Sequence, residues 1–203
     1  MEKPAETQYP IHDLLRRRWS PRAFTEQAVE IEKLGSLIEA ARWASSLFNE
    51  QPWSFIIARK EDRDSYTQVL SCLVEGNQIW AKRAPVIILT IVKQTFDLDG
   101  RPNTHAWHDV GLAVANLVMQ ATAMGLGVHQ LAGIYSDRIR KLFSIPEGYE
   151  PVSALAIGYF GDPDSLPDPL RDKEVASRSR KNLDEFVYEG RWGRVFSFTH
   201  GSG

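Results

Sequence analysis

Between Val110 and Met124 the chain carries no charged residue, and this stretch constrains the fold more than any other. Apolar positions recur there at helical spacing and Gly125 follows as a stop. The pattern predicts a helix from His108 to Met124, with Asp109 near its start. Val110, Val114, Leu117 and Met124 fall on one face, while Leu112, Ala115 and Met119 fall on the other. A helix apolar nearly all round must be buried on most sides. A chain of 203 residues builds one domain around one core. One side of this helix is therefore left for a partner subunit.

The bulk numbers exclude several classes. Hydrophobic residues make up 43% and charged residues 25%, the balance of a soluble globular protein. A net charge of -2 argues against a general nucleic-acid binder. Cys72 is the single cysteine, which excludes an intramolecular disulfide and a multi-cysteine metal centre. No apolar run approaches the roughly 20 residues of a membrane span. The opening MEKPAETQYP is polar and lacks a signal-peptide core. The expected setting is cytoplasmic.

After a loose end over residues 1–9, Ile11, Leu14 and Leu15 predict a short helix ending near Arg17. Ile31, Leu34, Leu37, Ile38 and Ala41 predict a helix from Glu30 to Ala44. Trp53 to Ala58 reads as a strand and Glu61 to Leu73 as a helix. Val86 to Val92, VIILTIV, is a β-branched run suited to a central strand buried on both faces. Thr95 to Asn103 reads as a loop, Val128 to Ile134 as a strand, Asp137 to Phe143 as a helix, and Val152 to Tyr159 as a strand. Gly161 to Asp172 reads as a surface connection. The tail from Leu183 to Phe198 carries Phe186, Tyr188, Trp192 and Phe196, too aromatic to float in water. The fold class is α+β, with helices around a mixed sheet.

Two stretches carry the chemistry. Arg16 to Phe24, RRRWSPRAF, brings several guanidinium groups and the Ser20 hydroxyl onto one loop, as a phosphate requires. The same arginines also fit a solvated basic patch. Ala41 to Arg59 ends a helix in small polar residues and enters a strand through Asn49, Gln51 and Pro52. Amides there suit the edge of a flat heterocycle, although local turn bonds are the plainer reading. A phosphate clamp beside an amide-lined slot suggests a flavin mononucleotide (FMN) site.

Other motifs are weaker. GLGVHQLAGIYS, Gly125 to Ser136, fails as a dinucleotide fingerprint, because Gln130 stands at the third glycine and the order is helix, glycines, strand. His105, His108 and Asp109 have metal-compatible spacing but no further ligand to complete a site, so no metal is expected. His129 reads as packed or near a cofactor. Trp80 and Trp107 read as core or interface aromatics, or as the lining of a substrate slot. No nucleophile elbow or P-loop is present.

Arg18-Trp19-Ser20-Pro21-Arg22-Ala23-Phe24 and Ser45-Ser46-Leu47-Phe48-Asn49-Glu50-Gln51-Pro52-Trp53 resemble the two opening motifs of the nitroreductase-like flavin enzymes. The resemblance covers nearly the whole chain. It implies a single domain over residues 1–203, an intertwined homodimer with exchanged C-terminal extensions (here residues 183–198), and two flavins at the subunit interface. It maps Arg18 and Arg22 onto cations at the phosphate and ribityl end, Ser20 onto a flavin-contacting hydroxyl, and Trp19 onto a main-chain contact. Arg180, with Arg178 and Lys181 beside it, maps onto a basic segment completing the clamp, where a solvated turn is the plainer reading. Ser45, Ser46 and Leu47 map against the flavin of the other subunit, with Asn49 and Gln51 close by. Ser45 and Leu47 depart from the family's Pro-Ser-Ser, and Leu47 removes a hydroxyl. Ala132 and Gly133 map to backbone passing the flavin ring, with an N–H near N5.

The function so implied is an FMN-dependent oxidoreductase drawing electrons from NADH or NADPH in ping-pong fashion. Nitroaromatics, quinones or conjugated carbonyls would be the acceptors. The flavin performs the redox step, so no side chain is assigned as a catalytic acid or base. Dehalogenation, azoline oxidation or flavin fragmentation on the same scaffold, and a non-catalytic flavin-binding protein, are the alternatives.

Overall fold

In the computed structural model, which describes residues 2–198, helices pack on both faces of a four-stranded sheet. Met1 and residues 199–203, the ends of the expected 1–203 domain, lie outside the described residues. The strands are β1 (Trp53–Arg59), β2 (Val86–Lys93), β3 (Gly127–Leu131) and β4 (Tyr149–Gly158), in the order β1-β2-β4-β3. All three pairings are antiparallel. The sheet expected to be mixed is thus antiparallel within one chain, because helical excursions return each strand beside its neighbour in the opposite direction.

β2 lies at the centre and is buried along nearly its whole length. Its side chains alternate between two cores. Val86, Ile88 and Val92 join helices α2 (Ile31–Arg42) and α5 (Ala106–Ala123) on one face. Ile87 and Leu89 join α3 (Arg63–Ser71), α4 (Glu75–Ala81) and α6 (Ser136–Leu142) on the other. Two apolar faces need a continuous apolar strand, which is why this segment shows no polar alternation.

Helix α5 buries Val110, Val114 and Leu117 completely or nearly so. Leu112 and Met119 are half-covered and Ala115 is exposed. Gly125 follows at φ +75°, the left-handed stop that glycine adopts without a steric penalty. Helix α1 (Asp13–Arg17) is short, as expected.

Four features differ from the sequence reading. Helix α4 is unexpected, since EGNQIWA lacks a repeating apolar stripe. Helix α7 (Asp168–Val175) begins inside the segment read as a connection, started by Pro169 in its first turn. Residues 2–5 are tied down rather than loose, with the Ala5 N–H donating to the Arg16 carbonyl at 2.8 Å. β3 also ends at Leu131 rather than Ile134. The tail forms a small turn closed by a Tyr188–Val195 bridge, and Phe186, Trp192, Phe196 and Phe198 remain exposed on it.

Tyr66 joins α3 to the end of α4. Its buried hydroxyl donates to the carbonyls of Ala84 (2.6 Å) and Ala81 (3.2 Å), and burial pushes its pKa up. Tyr66→Phe leaves the Ala84 carbonyl unpaired, while Ala81 keeps its bond from the Ala84 N–H (3.0 Å), and should cost about 1–2 kcal/mol. Urea unfolding should show a lower midpoint at an unchanged slope; an unchanged midpoint would show that these bonds add nothing.

Candidate functional site

The loop after α1 is shaped by a carboxylate from the far end of the chain. Glu174 of α7 is 1% exposed. Its oxygens accept from the N–H of Arg22 (2.9 and 3.0 Å) and of Ala23 (3.0 Å), and the Arg22 guanidinium lies 4.0 Å away. A buried charge needs such partners, and backbone N–H groups supply most of them here. Trp19 packs inward, stacked on Phe160 at 5.6 Å.

Above this brace lies a pocket of about 220 Å³ lined by Lys3, Arg18, Ser20, Lys173, Arg178 and Arg180. Arg18 donates to Ser20 Oγ at 3.2 Å. Burial lowers the Arg18 pKa, and the charges of Arg178 and Arg180 lower it further; burial and then Arg180 lower that of Arg178. No acidic residue lines the pocket. Such a concentration of cations suits a phosphate monoester. Of the expected residues, Arg18, Trp19, Ser20, Arg178 and Arg180 meet here. Arg22 does not: it turns toward Glu174, with its guanidinium 6.0 Å from the Trp80 ring centroid. Lys181 stays exposed outside the pocket. Sequence reasoning missed Lys3, Lys173 and Glu174, and only the proximity of Lys173 and Glu174 to the basic cluster could have hinted at two of them.

From this pocket the loop runs along β3. The ring of His129 packs at a tilt of 48° on Trp80, centroids 4.6 Å apart, Trp80 being buried core, and His129 Nδ1–H donates to the Pro21 carbonyl at 2.9 Å. Beyond β3, the Gly133 carbonyl accepts from the Val74 N–H (3.0 Å) and Asn77 Nδ2 (3.3 Å). A Cβ on Gly133 would come within 2.6 Å of Asn77 Nδ2 and 2.7 Å of Val74 Cγ2. A side chain here would therefore force the Val74 and Asn77 side chains to move, a crowding the sequence did not reveal. Ala132, beside it, is exposed.

The second stretch sits elsewhere. The Leu47 N–H donates to the buried Asp109 carboxylate at 3.0 Å, at the start of α5. Ser46 Oγ accepts from the Gln51 N–H (3.0 Å), and Gln51 Nε2 donates to the Asn49 carbonyl (3.1 Å). Phe48, Asn49 and Gln51 all have positive φ, of 52°, 61° and 49°. Three non-glycine residues held in this region make a strained, defined loop. Ser45 and Asn49 are exposed, and Phe48 is 83% exposed. Asp109 is thus a loop anchor, and among the described residues no three His, Cys, Asp or Glu side chains gather as metal ligands.

The two halves lie at opposite ends of α5. Leu47 is held at Asp109, whereas a cavity sharing Lys3, Arg18 and Trp19 with the basic pocket reaches Thr122 and Gly125. Thirteen helical steps lead from Asp109 to Thr122, about 20 Å along the axis. One chain does not bring Ser45, Ser46, Leu47, Asn49 and Gln51 to the pocket of Arg18 and Arg180.

The profile of the Nitroreductase family matches residues 15–159. A crystal structure described as an oxidoreductase containing FMN superposes with a TM-score of 0.88 at 37% identity, covering 93% of this chain and 96% of that one. A Methanothermobacter thermautotrophicus protein, provisionally named an NADH dehydrogenase/NAD(P)H nitroreductase, is 30% identical over 73% of this chain and 76% of its own length. Mouse iodotyrosine deiodinase 1 is 24% identical over 87% of this chain and 68% of its own length. No helix among the described residues is long and apolar enough to cross a membrane.

Glu174→Ala leaves the N–H groups of Arg22 and Ala23 unpaired and should destabilise the fold by about 2–4 kcal/mol. Chemical denaturation measures this, and a loss below about 0.5 kcal/mol would remove Glu174 as the brace. Burial first, and the Arg22 charge second, lower the His129 pKa from 6.5 to about 4. Between those values the unfolded chain takes up a proton that the folded one refuses. Stability from this group is therefore full above pH 6.5 and is lost as pH falls toward 4, by at most about 3 kcal/mol. Unfolding curves of His129→Gln should fall less steeply over that window than those of the parent; parallel curves would contradict the assignment.

Proposed function

The chain belongs to the nitroreductase family of oxidoreductases, and from that premise we propose an FMN-dependent NAD(P)H oxidoreductase that works as a homodimer. The observation that carries this reading is the pocket of Lys3, Arg18, Ser20, Lys173, Arg178 and Arg180, free of acidic lining and sized for a terminal phosphate. Bound FMN would supply two-electron hydride chemistry at its ring. Arg18, Arg178 and Arg180 would hold the phosphate, with Ser20 oriented by Arg18. The backbone at Ala132 and Gly133, fixed by Val74 and Asn77, would flank the ring. The Ser45–Gln51 loop, stiffened by Asp109, would come from the partner subunit and close the opposite side.

The dimer has three supports. The site is split along α5, the outer face of α5 carries no charge from Val110 onward, and the aromatic tail of residues 183–198 is exposed on a single chain. Nothing in the pocket offers a separate dinucleotide fold, so donor and acceptor would use one face in turn. Acceptors would be flat and conjugated: nitroaromatics, quinones or unsaturated carbonyls. A cytoplasmic setting, where NAD(P)H is at hand, fits this chemistry. Dehalogenation is the second reading, favoured by the likeness to the deiodinase; halide release from an iodinated phenol under reducing conditions would distinguish it.

Ligand released from purified protein should have the mass of FMN; recovery of FAD instead would refute the cofactor. Arg18→Ala and Arg180→Ala should each weaken FMN binding by about 1.5–3 kcal/mol. Steady-state plots with NAD(P)H and a quinone should be parallel. Intersecting plots would place donor and acceptor on the protein together and exclude a shared face.

A further inference from the structure

The N-terminal arm is built into the basic pocket. The Ala5 N–H bond to Arg16 lays the arm along the end of α1. Arg178 Nη1 donates to the Lys3 carbonyl (2.5 Å) and the Arg16 carbonyl (3.0 Å), which ties the arm to the C-terminal basic segment. Three remote pieces of chain therefore fix where Lys3 stands. Its ammonium donates to the Glu174 carbonyl at 2.5 Å and lies 4.9 Å from the Trp19 ring centroid.

Neither contact cancels the charge of Lys3. A carbonyl and an aromatic face orient an ammonium without neutralising it. The nearest carboxylate, that of Glu174, is taken up by the Arg22 and Ala23 N–H groups. Burial lowers the Lys3 pKa first; Glu174 opposes this, and Arg178 and Arg22 add to it. A chain that spends this many contacts to hold one more cation beside Arg18, Arg178 and Arg180 makes sense if an anion arrives there. Lys3, Arg18 and Trp19 also form the wall toward a neighbouring cavity of about 360 Å³, so Lys3 bounds the pocket as well as charging it.

We propose that Lys3 is a direct ligand of the cofactor's terminal phosphate, and that the N-terminal arm is a wall of the flavin site. This rests on the reading of the basic pocket as the phosphate site. The test uses full-length protein stripped of flavin and titrated with FMN and with riboflavin, which lacks the phosphate, following flavin fluorescence. Lys3→Met keeps the aliphatic stem and removes the charge. It should raise the FMN Kd about tenfold or more and leave the riboflavin Kd unchanged. Lys3→Arg should restore most of the FMN affinity. An unchanged FMN Kd in Lys3→Met overturns the proposal. So does an equal loss for both flavins, since the arm would then only brace the fold. If the parent protein binds FMN no more tightly than riboflavin, the phosphate-site reading itself fails, and the role of Lys3 fails with it.

Discussion

Helix α5 decides where every part of the site can be. Its core face, with Val110, Val114 and Leu117, locks it against β2 and α2. That packing leaves no freedom to shorten the distance between its two ends. The Ser45–Gln51 loop is fixed to the first turn through Asp109, and the cavity that shares Lys3, Arg18 and Trp19 with the basic pocket reaches the last turn. A ligand contacting both must receive them from two molecules. The missing charges on the outer face of α5 then have a reason, because that surface is where the second molecule would lie. One rod-like element thus links the demand for a partner, read from hydrophobicity, to the incompleteness of the site, read from distance.

At the basic end the governing problem is electrostatic. Lys3, Arg18, Lys173, Arg178 and Arg180 repel one another, and the structure does not relieve this with acidic side chains in the pocket. Glu174 is close but buried, and its lone pairs are aimed at backbone N–H groups. It shapes the loop without quenching the pocket. That division keeps the pocket hungry for an anion while giving the loop one conformation. Arg22, although it belongs to the same sequence run, lies against Glu174 and Trp80 and outside the lining of the pocket.

The sequence revealed most of the architecture because periodicity survives in single elements. VIILTIV could only be a strand covered on both faces, and the charge-free helix could only be an interior or interface element. Helix α4 escaped because seven residues hold too few turns for a stripe, and α7 because Pro and Asp mask a helix start as a loop. Around the basic pocket, Arg18, Arg178 and Arg180 are legible as clustered charge, and Ser20 as a hydroxyl beside them. Lys3 and Glu174 are not, since their roles come from contacts 171 residues apart in the chain. The displacement of Arg22 was equally invisible: sequence shows that charges are adjacent, but not which of them a buried carboxylate will claim. Gly133 was singled out for close approach to a ring, whereas within the chain the crowding comes from Asn77 and Val74.

The central claim is that each site combines the basic pocket of one subunit with the Ser45–Gln51 loop of the other. Mixed dimers test it most directly. One chain would carry Arg18→Ala with Arg180→Ala, and the other Leu47→Pro, which removes the N–H that Asp109 receives. Each variant alone should form dimers that retain little FMN. In the mixed dimer, one of the two sites pairs an intact pocket with an intact loop, so about one FMN per dimer should be retained. Mixed dimers as empty as either parent would mean that pocket and loop serve the same chain, and the account of a shared site would fall.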